Sequence, residues 1–193
     1  MRKRTIVLGS AGIFLLGALA SFLVTRQLYL AGAIFQETYV PNPVLEAANK
    51  GHYDEAIQAA LAQIHDEKQD YWQYGQIATV DIMRAYKDEP NRDRWAQQAA
   101  SYIDKMADLA PDEPGNLFEA AYGYERAGDL SKNGCPCYEK GLTLCQRLNS
   151  LLQSDSLMVK DWKFPTKHLR EDNEHLQKRL KDKVQSWCQK SGP

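Results

Sequence analysis

The feature that most constrains the fold is the spacing of apolar residues between Val44 and Leu152. Apolar side chains recur there at three- and four-residue intervals, which is the period of an amphipathic α-helix. No run in this stretch alternates apolar and polar residues as a half-buried strand does. Turn signals at Gly51, around Pro90 and at Pro111 divide the stretch into helices of ordinary length. The sequence therefore predicts an all-α fold.

An uncharged apolar run precedes these helices, from Thr5 to Val24. A helix of about 20 residues spans roughly 30 Å at 1.5 Å per residue, which is the thickness of bilayer hydrocarbon. Three basic residues lie before the run and only Arg26 follows closely, so the positive-inside bias places the N-terminus in the cytoplasm. We expect residues 1–26 to form a transmembrane signal-anchor.

A cleaved signal peptide is the alternative, because Ala18-Leu19-Ala20 resembles a cleavage site. The run is longer than the usual h-region of about 7–15 residues and continues past that site, which favours the anchor. Residues 27–43 stay fairly apolar until Pro41-Asn42-Pro43 stops any helix. This segment is either an interfacial extension of the anchor or a linker that packs on the soluble domain.

The charge balance argues against one class of partner. Of the 24 basic residues four lie in residues 1–26, which hold no acid, so 20 bases face 25 acids in the remainder. The part beyond residue 26 therefore has a net charge of −5. Because an acidic surface repels phosphates, we expect no nucleic-acid partner.

Two segments resemble the tetratricopeptide repeat (TPR), a helical hairpin of about 34 residues. Gly51 to Ile57 (GHYDEAI) is similar to the turn and second-helix start of a repeat. Leu117 to Asp129 is similar to a first helix, with Leu117, Ala120, Ala121, Tyr124 and the closing Gly128 in the family's spacing. The resemblance implies that the first four of these residues pack inward. The unit between them, from Tyr71 to Leu109, is longer than the pattern and carries an insertion. The resemblance implies a short TPR-like α-solenoid over residues 44–152.

A charged helix is expected at the C-terminus, over residues 166–189, after a linker of residues 153–165. Thr166 can cap this helix. A solenoid exposes an apolar face at its end, so the helix is expected to cover that face. An intermolecular coiled coil is the alternative. The apolar stripe of the helix consists of Leu169, Leu176, Leu180, Val184 and Trp187.

Four cysteines suggest disulfides if the domain lies outside the cytoplasm. A bond to Cys188 from the Cys135/Cys137 turn, or from Cys145, would hold the C-terminal helix against the last repeat. Free buried thiols and a metal site remain as alternatives, although Cys-x-Cys is not the spacing of a zinc knuckle.

No reaction signature accompanies these features. The sequence contains no phosphate-binding glycine loop, nucleophile elbow, HExxH or haem-attachment motif. His168, Asp172 and His175 fall on one helical face and could ligate a metal, but a solvated polar face is the commoner explanation. We therefore expect no catalytic residues, no metal and no cofactor.

The resemblance implies a binding surface instead, because TPR proteins hold a partner along the concave face of their first helices. The basic clamp for a C-terminal carboxylate is absent, since the positions near Gly115 and Glu119 are not basic. The alternative is that some of the rings belong to the core. The partner-binding residues carried over from the family pattern are Trp72, Gln76, Thr79, Phe118, Tyr122, Glu125 and Arg126.

The expected function is a membrane-anchored protein–protein interaction scaffold, or an accessory subunit of a bacterial inner-membrane complex. Its partners would be proteins, with lipid contacts through residues 5–24 and with the C-terminal domain in the periplasm. The alternatives are a periplasmic binding or assembly factor released by signal cleavage, an enzyme with unrecognised chemistry, and a cytosolic domain as in receptors of the outer mitochondrial membrane.

Overall fold

The computed structural model describes residues 42–153 and 166–188, and the expected anchor at residues 5–24 lies outside them. The described residues form seven α-helices and no strand, which confirms the all-α prediction for this part of the chain. None of these helices is long and apolar enough to cross a bilayer. They are α1 Pro43–Asn49, α2 Tyr53–Leu61, α3 Trp72–Lys87, α4 Arg92–Leu109, α5 Pro114–Leu130, α6 Cys135–Gln153 and α7 Thr166–Lys183.

Local sequence signals account for several helix ends. The side chain of Asn42 caps α1 by accepting hydrogen bonds from the backbone N–H groups of Val44 and Leu45, and Pro43 occupies the first turn. Gly51 has φ +82°, a conformation that favours glycine, and it lets the chain reverse between α1 and α2. A 3₁₀ turn at Glu89–Asn91 leads into α4, and a π-helical turn at Val184–Cys188 follows α7.

Consecutive helices pack as hairpins, α1 with α2, α3 with α4 and α5 with α6. The odd-numbered helices also contact one another in the order α1, α3, α5, α7. The even-numbered helices are in less extensive contact in the described residues, and α4 and α6 are joined by the ion pair of Asp104 with Lys140. The odd-numbered helices therefore form one layer and the even-numbered helices the other, which is a solenoid-like arrangement.

The inward face of α5 is the one expected from the sequence. Leu117, Ala120 and Ala121 are fully buried, and Tyr124 is almost so. Alanine is frequent in the core, as at Ala56, where helices approach closely. The inward residues of the α5 pattern are thus confirmed.

The helix α7 packs on α6 and α5 and covers the end of the stack. Leu176 and Leu180 are fully buried and pack in one cluster with Ala121, Tyr138 and Cys145. Trp187, expected on the same stripe, is instead 68% exposed. The chain becomes π-helical at Val184, and the extra residue in that turn shifts the register of the side chains.

Polar contacts fix how α7 sits on the last hairpin. Asn173 is fully buried within the apolar face of α7, and its Nδ2 donates to the carbonyl oxygen of Cys145 at 3.0 Å. Glu125 of α5 accepts hydrogen bonds from both Nε and Nη2 of Arg179 at 2.9 and 2.8 Å. Lys183 lies 3.2 Å from the same carboxylate. These partners lower the pKa of Glu125 against the effect of burial, which raises it.

A disulfide joins Cys135, at the start of α6, to Cys188, with the two Cα atoms 5.5 Å apart. It links the 135–137 turn to the end of the C-terminal helix, which is one of the pairings expected from the sequence. Cys137 and Cys145 are free and buried. Burial raises the pKa of the Cys145 thiol to about 12, so this thiol is a poor nucleophile in the folded protein.

Alkylation measures this cysteine pattern directly. In unreduced chain that is denatured before iodoacetamide is added, we expect two modified cysteines, Cys137 and Cys145, because the other two sulfurs are bonded. Reduction before alkylation should raise the number to four. Mass spectrometry of the intact chain and of its peptides distinguishes the two states. Four modified cysteines without reduction would contradict the disulfide.

A buried carboxyl group without a partner lies in α3. Asp81 is fully buried, and neither of its side-chain oxygens has a hydrogen-bond partner. Arg84 lies one turn away, but its Nη1 bonds to Asp54 at 2.8 Å and its guanidinium stacks on the Trp95 ring at 3.6 Å. Desolvation raises the pKa of Asp81 to about 7.

The raised pKa makes stability depend on pH. The unfolded-state pKa of an aspartate is about 3.9, so the folded state binds more protons between that pH and about 7, and stability falls as pH rises through this window. Asp81→Asn removes the titration and should stabilise the protein at pH 8 by roughly 2–4 kcal/mol, at about 1.4 kcal/mol per pKa unit. Urea unfolding of the wild type and of the variant at pH 5 and pH 8 measures this change in the free energy of unfolding.

The matched control is Asp108→Asn, the same chemical change at an exposed position of α4. This variant should keep the wild-type difference between pH 5 and pH 8. If Asp81→Asn keeps that difference too, the buried carboxyl does not titrate in this window.

Candidate functional site

A groove runs between α1, α3 and α5, on the layer of odd-numbered helices, with a cavity volume of about 470 Å³. Its floor is apolar and its rim carries carboxamides, carboxylates, two exposed aromatic rings and one arginine. The floor is made by Leu45, Ala78, Ile82, Ile103 and Met106.

Two glycines open the floor of the groove to α4. A Cβ atom on Gly75 of α3 would lie 2.6 Å from the Met106 sulfur, and one on Gly123 of α5 would lie 2.9 Å from Cδ1 of Ile103. Because neither glycine has a side chain, Ile103 and Met106 of α4 reach between α3 and α5. The even-numbered layer thereby supplies apolar surface to the opposite face of the domain.

Only some of the polar groups at the rim of the groove have hydrogen-bond partners within the described residues. Asn42 Nδ2 donates to Gln76 Oε1 at 3.4 Å, and Thr79 Oγ1 donates to the carbonyl oxygen of Gly75 at 2.9 Å. Asn116 Nδ2 donates to the carbonyl oxygens of Met106 and Ala110, whereas its Oδ1 is buried without a partner in the described residues.

Two large rings stand on the walls of the groove. Trp72 at the start of α3 is 47% exposed, and Tyr122 of α5 is 41% exposed. The Arg126 guanidinium lies 5.9 Å from the Tyr122 ring and so screens one part of it. Both rings are therefore open to a molecule that enters the groove.

The charges of the groove are unevenly distributed. Glu113 precedes α5 and accepts hydrogen bonds from the backbone N–H groups of Gly115 and Asn116. Glu119 has neither a hydrogen bond nor an ion pair to a described residue, and partial desolvation by its surroundings raises its pKa. Arg126 lies about two helical turns further along α5, so one end of the groove is acidic and the other basic.

Five of the seven residues carried over from the family pattern come together here. Trp72, Gln76 and Thr79 of α3 face Tyr122 and Arg126 of α5 across the same groove.

The other two residues, Phe118 and Glu125, do not belong to the groove. Phe118 is half-buried and packs against the apolar clusters beneath α6 and α7. Glu125 is 5% exposed and is paired with Arg179. The family pattern leaves this side of a first helix open, but α7 covers it here.

The polar face of α7 offers no comparable site. His168, Asp172 and His175 are exposed, and Asp172 and His175 border a shallow depression beside Glu119. Across residues 42–153 and 166–188, no three His, Cys, Asp or Glu side chains are grouped as metal ligands would be.

The other residues that line the groove were not predicted as binding residues, and Asn42, Met106, Asn116 and Glu119 are among them. The available signal was the pair of glycines inside helical patterns, at positions 75 and 123. Such glycines often mark a close approach of another element.

No protein-family model matches the sequence, and comparisons with curated proteins and with solved structures find no match. The TPR resemblance therefore depends on the two segments at residues 51–57 and 117–129, together with the stacked hairpins. What the groove binds has to be inferred from its own chemistry.

Replacing single aromatic residues by alanine distinguishes the rings that line the groove from the rings that belong to the core. Phe118→Ala should lower the free energy of unfolding by about 2 kcal/mol or more, because it leaves a cavity under α7. Trp72→Ala and Tyr122→Ala should each cost less than about 1 kcal/mol, because these rings have few neighbours to lose. Urea unfolding of the three variants tests the assignment. If Tyr122→Ala lowers the free energy of unfolding as much as Phe118→Ala does, Tyr122 belongs to the core.

Proposed function

We propose that the protein is a membrane-anchored scaffold or accessory subunit that binds a partner protein in the groove between α1, α3 and α5. The observation that carries this proposal is the exposure of Trp72 and Tyr122 on facing walls above an apolar floor. Tryptophan and tyrosine in such pockets are the residues that contribute most to protein interfaces.

The rim favours a peptide or protein segment over a purely apolar ligand. The carboxamide of Gln76 and the hydroxyl of Thr79 border the floor, together with the Arg126 guanidinium. Such a mixture of apolar floor and polar rim is typical of protein interfaces, where the rim supplies orientation and the buried rings supply affinity.

The anchor and the compartment are proposed from the sequence and from the cysteines. Residues 5–24 form an uncharged run of membrane-spanning length with basic residues before it. A disulfide between Cys135 and Cys188 suits an oxidising compartment such as the periplasm. Residues 27–43 would then be the interfacial extension or linker between the anchor and the helices, so the partner would be a protein at the same membrane.

Photo-crosslinking from within the groove tests the proposal. Full-length chain that carries p-benzoylphenylalanine in place of Tyr122 should form a discrete adduct with a partner in native membranes. Adding Trp72→Ala should reduce the adduct about tenfold, because losing about 1.4 kcal/mol of binding free energy changes affinity by that factor.

The matched control places the same photo-reactive residue at Tyr86, which is 54% exposed on α3 but does not line the groove. This position should give no adduct with the same partner. The proposal fails if position 122 gives no adduct, or if the adduct is unaffected by Trp72→Ala.

A further inference from the structure

We infer that the acidic end of the groove binds an arginine side chain of the partner protein, with Glu119 as its counter-ion and Trp72 as its stacking surface. This inference rests on the proposed function and names the chemistry of the segment that the groove holds. The residues of this acidic end are Tyr71, Trp72, Glu113, Asn116 and Glu119.

Two acceptors at the acidic end have no donor among the described residues, the carboxylate of Glu119 and Oδ1 of Asn116. Glu119 has no hydrogen-bond or ion-pair partner within the described residues. Asn116 is 3% exposed and lines the same cavity, and its Oδ1 lacks a partner because only its Nδ2 is engaged, by the carbonyl oxygens at the end of α4. An occupant that brings N–H donors would satisfy a pocket of this composition.

Several other carboxylates on the domain pair with cations of the chain itself. Asp104 bonds to Lys140, Glu67 to Lys105 and Glu125 to Arg179. Glu119 has no such cation, and its raised pKa is caused by desolvation alone. Glu119 is exposed to solvent but partly desolvated by the groove, and such a carboxylate is stabilised when a cation arrives with the ligand.

Two arginines line depressions that Glu119 also lines, and neither pairs with it. Arg126 is seven residues along α5, about 10 Å at 1.5 Å per residue, and it faces the Tyr122 ring. Arg179 is held in a bidentate ion pair by Glu125. No cation of the described residues pairs with Glu119, so a cation that arrives with a ligand would be its first partner.

The Trp72 ring, which lines the same groove as Glu119, determines which kind of cation fits best. Trp72 exposes nearly half of its surface in the same groove. A guanidinium stacks on an aromatic face and bonds a carboxylate through its planar fork at once, whereas an ammonium is a compact, strongly hydrated point charge. Arg126 at the far end would repel a second basic residue, so the partner segment would be basic at one end only.

Fluorine NMR on full-length chain labelled with 5-fluorotryptophan tests this site. The probes are N-acetyl-arginine methylamide, its lysine analogue and its citrulline analogue, which keeps the shape of arginine without the charge. The Trp72 resonance, assigned with Trp72→Phe, should shift saturably with the arginine probe. Citrulline and lysine should bind at least about fivefold more weakly, a difference of roughly 1 kcal/mol.

Variants locate the site. Glu119→Gln should weaken the arginine probe at least about fivefold. Glu139→Gln, the same change at an exposed position of α6 outside the groove, should leave binding unchanged. An unmoved Trp95 resonance, from a core ring, shows that each variant is folded. Equal binding of arginine and citrulline, equal binding of arginine and lysine, or full binding by Glu119→Gln would each overturn the assignment.

The outcome is separable from that of the proposed function. If the Trp72-dependent adduct at position 122 forms but the arginine probe does not bind, the groove holds a partner without an arginine and only this inference is overturned. If the probe binds through Glu119 but no adduct forms in membranes, the arginine site stands and the proposed scaffold function is overturned.

Discussion

The structure depends on covering the apolar face that the last hairpin, α5 and α6, would otherwise expose. The helix α7 does this with Leu176 and Leu180, which are fully buried against the hairpin. Asn173 hydrogen bonds to α6, and the carboxylate of Glu125 pairs with Arg179. The disulfide links the C-terminal end of this helix to the start of α6. Apolar burial supplies most of the free energy, while the polar contacts determine the register in which α7 binds.

The position of α7 also determines which part of α5 remains available for a partner. Phe118 and Glu125 face α7 and are used in packing and ion pairing. Glu119, Tyr122 and Arg126 lie on the neighbouring face and line the groove with α3. The same helix therefore packs in the core on one side and forms a binding surface on the other. Gly123 of α5 leaves room for the Ile103 side chain of α4.

Much of this architecture follows from local patterns. The apolar period of 3.6 residues predicts the helices, and Gly51 predicts the first reversal of the chain. The roles of Phe118 and Glu125 could not be predicted, because they depend on where a helix some fifty residues later packs. Asp81 was also missed, although it lies on the apolar stripe of α3 between Ile77 and Ala85, and its burial without a partner is a tertiary property.

The central claim is that Trp72 and Tyr122 are covered by a partner protein in the native membrane. Hydroxyl-radical footprinting of the full-length chain measures this directly, by comparing oxidation of these rings in native membranes and in the purified protein, with the exposed Tyr86 as internal reference. The account predicts that Trp72 and Tyr122 are protected in native membranes while Tyr86 is oxidised equally in both. Equal oxidation of all three rings in both preparations would contradict it.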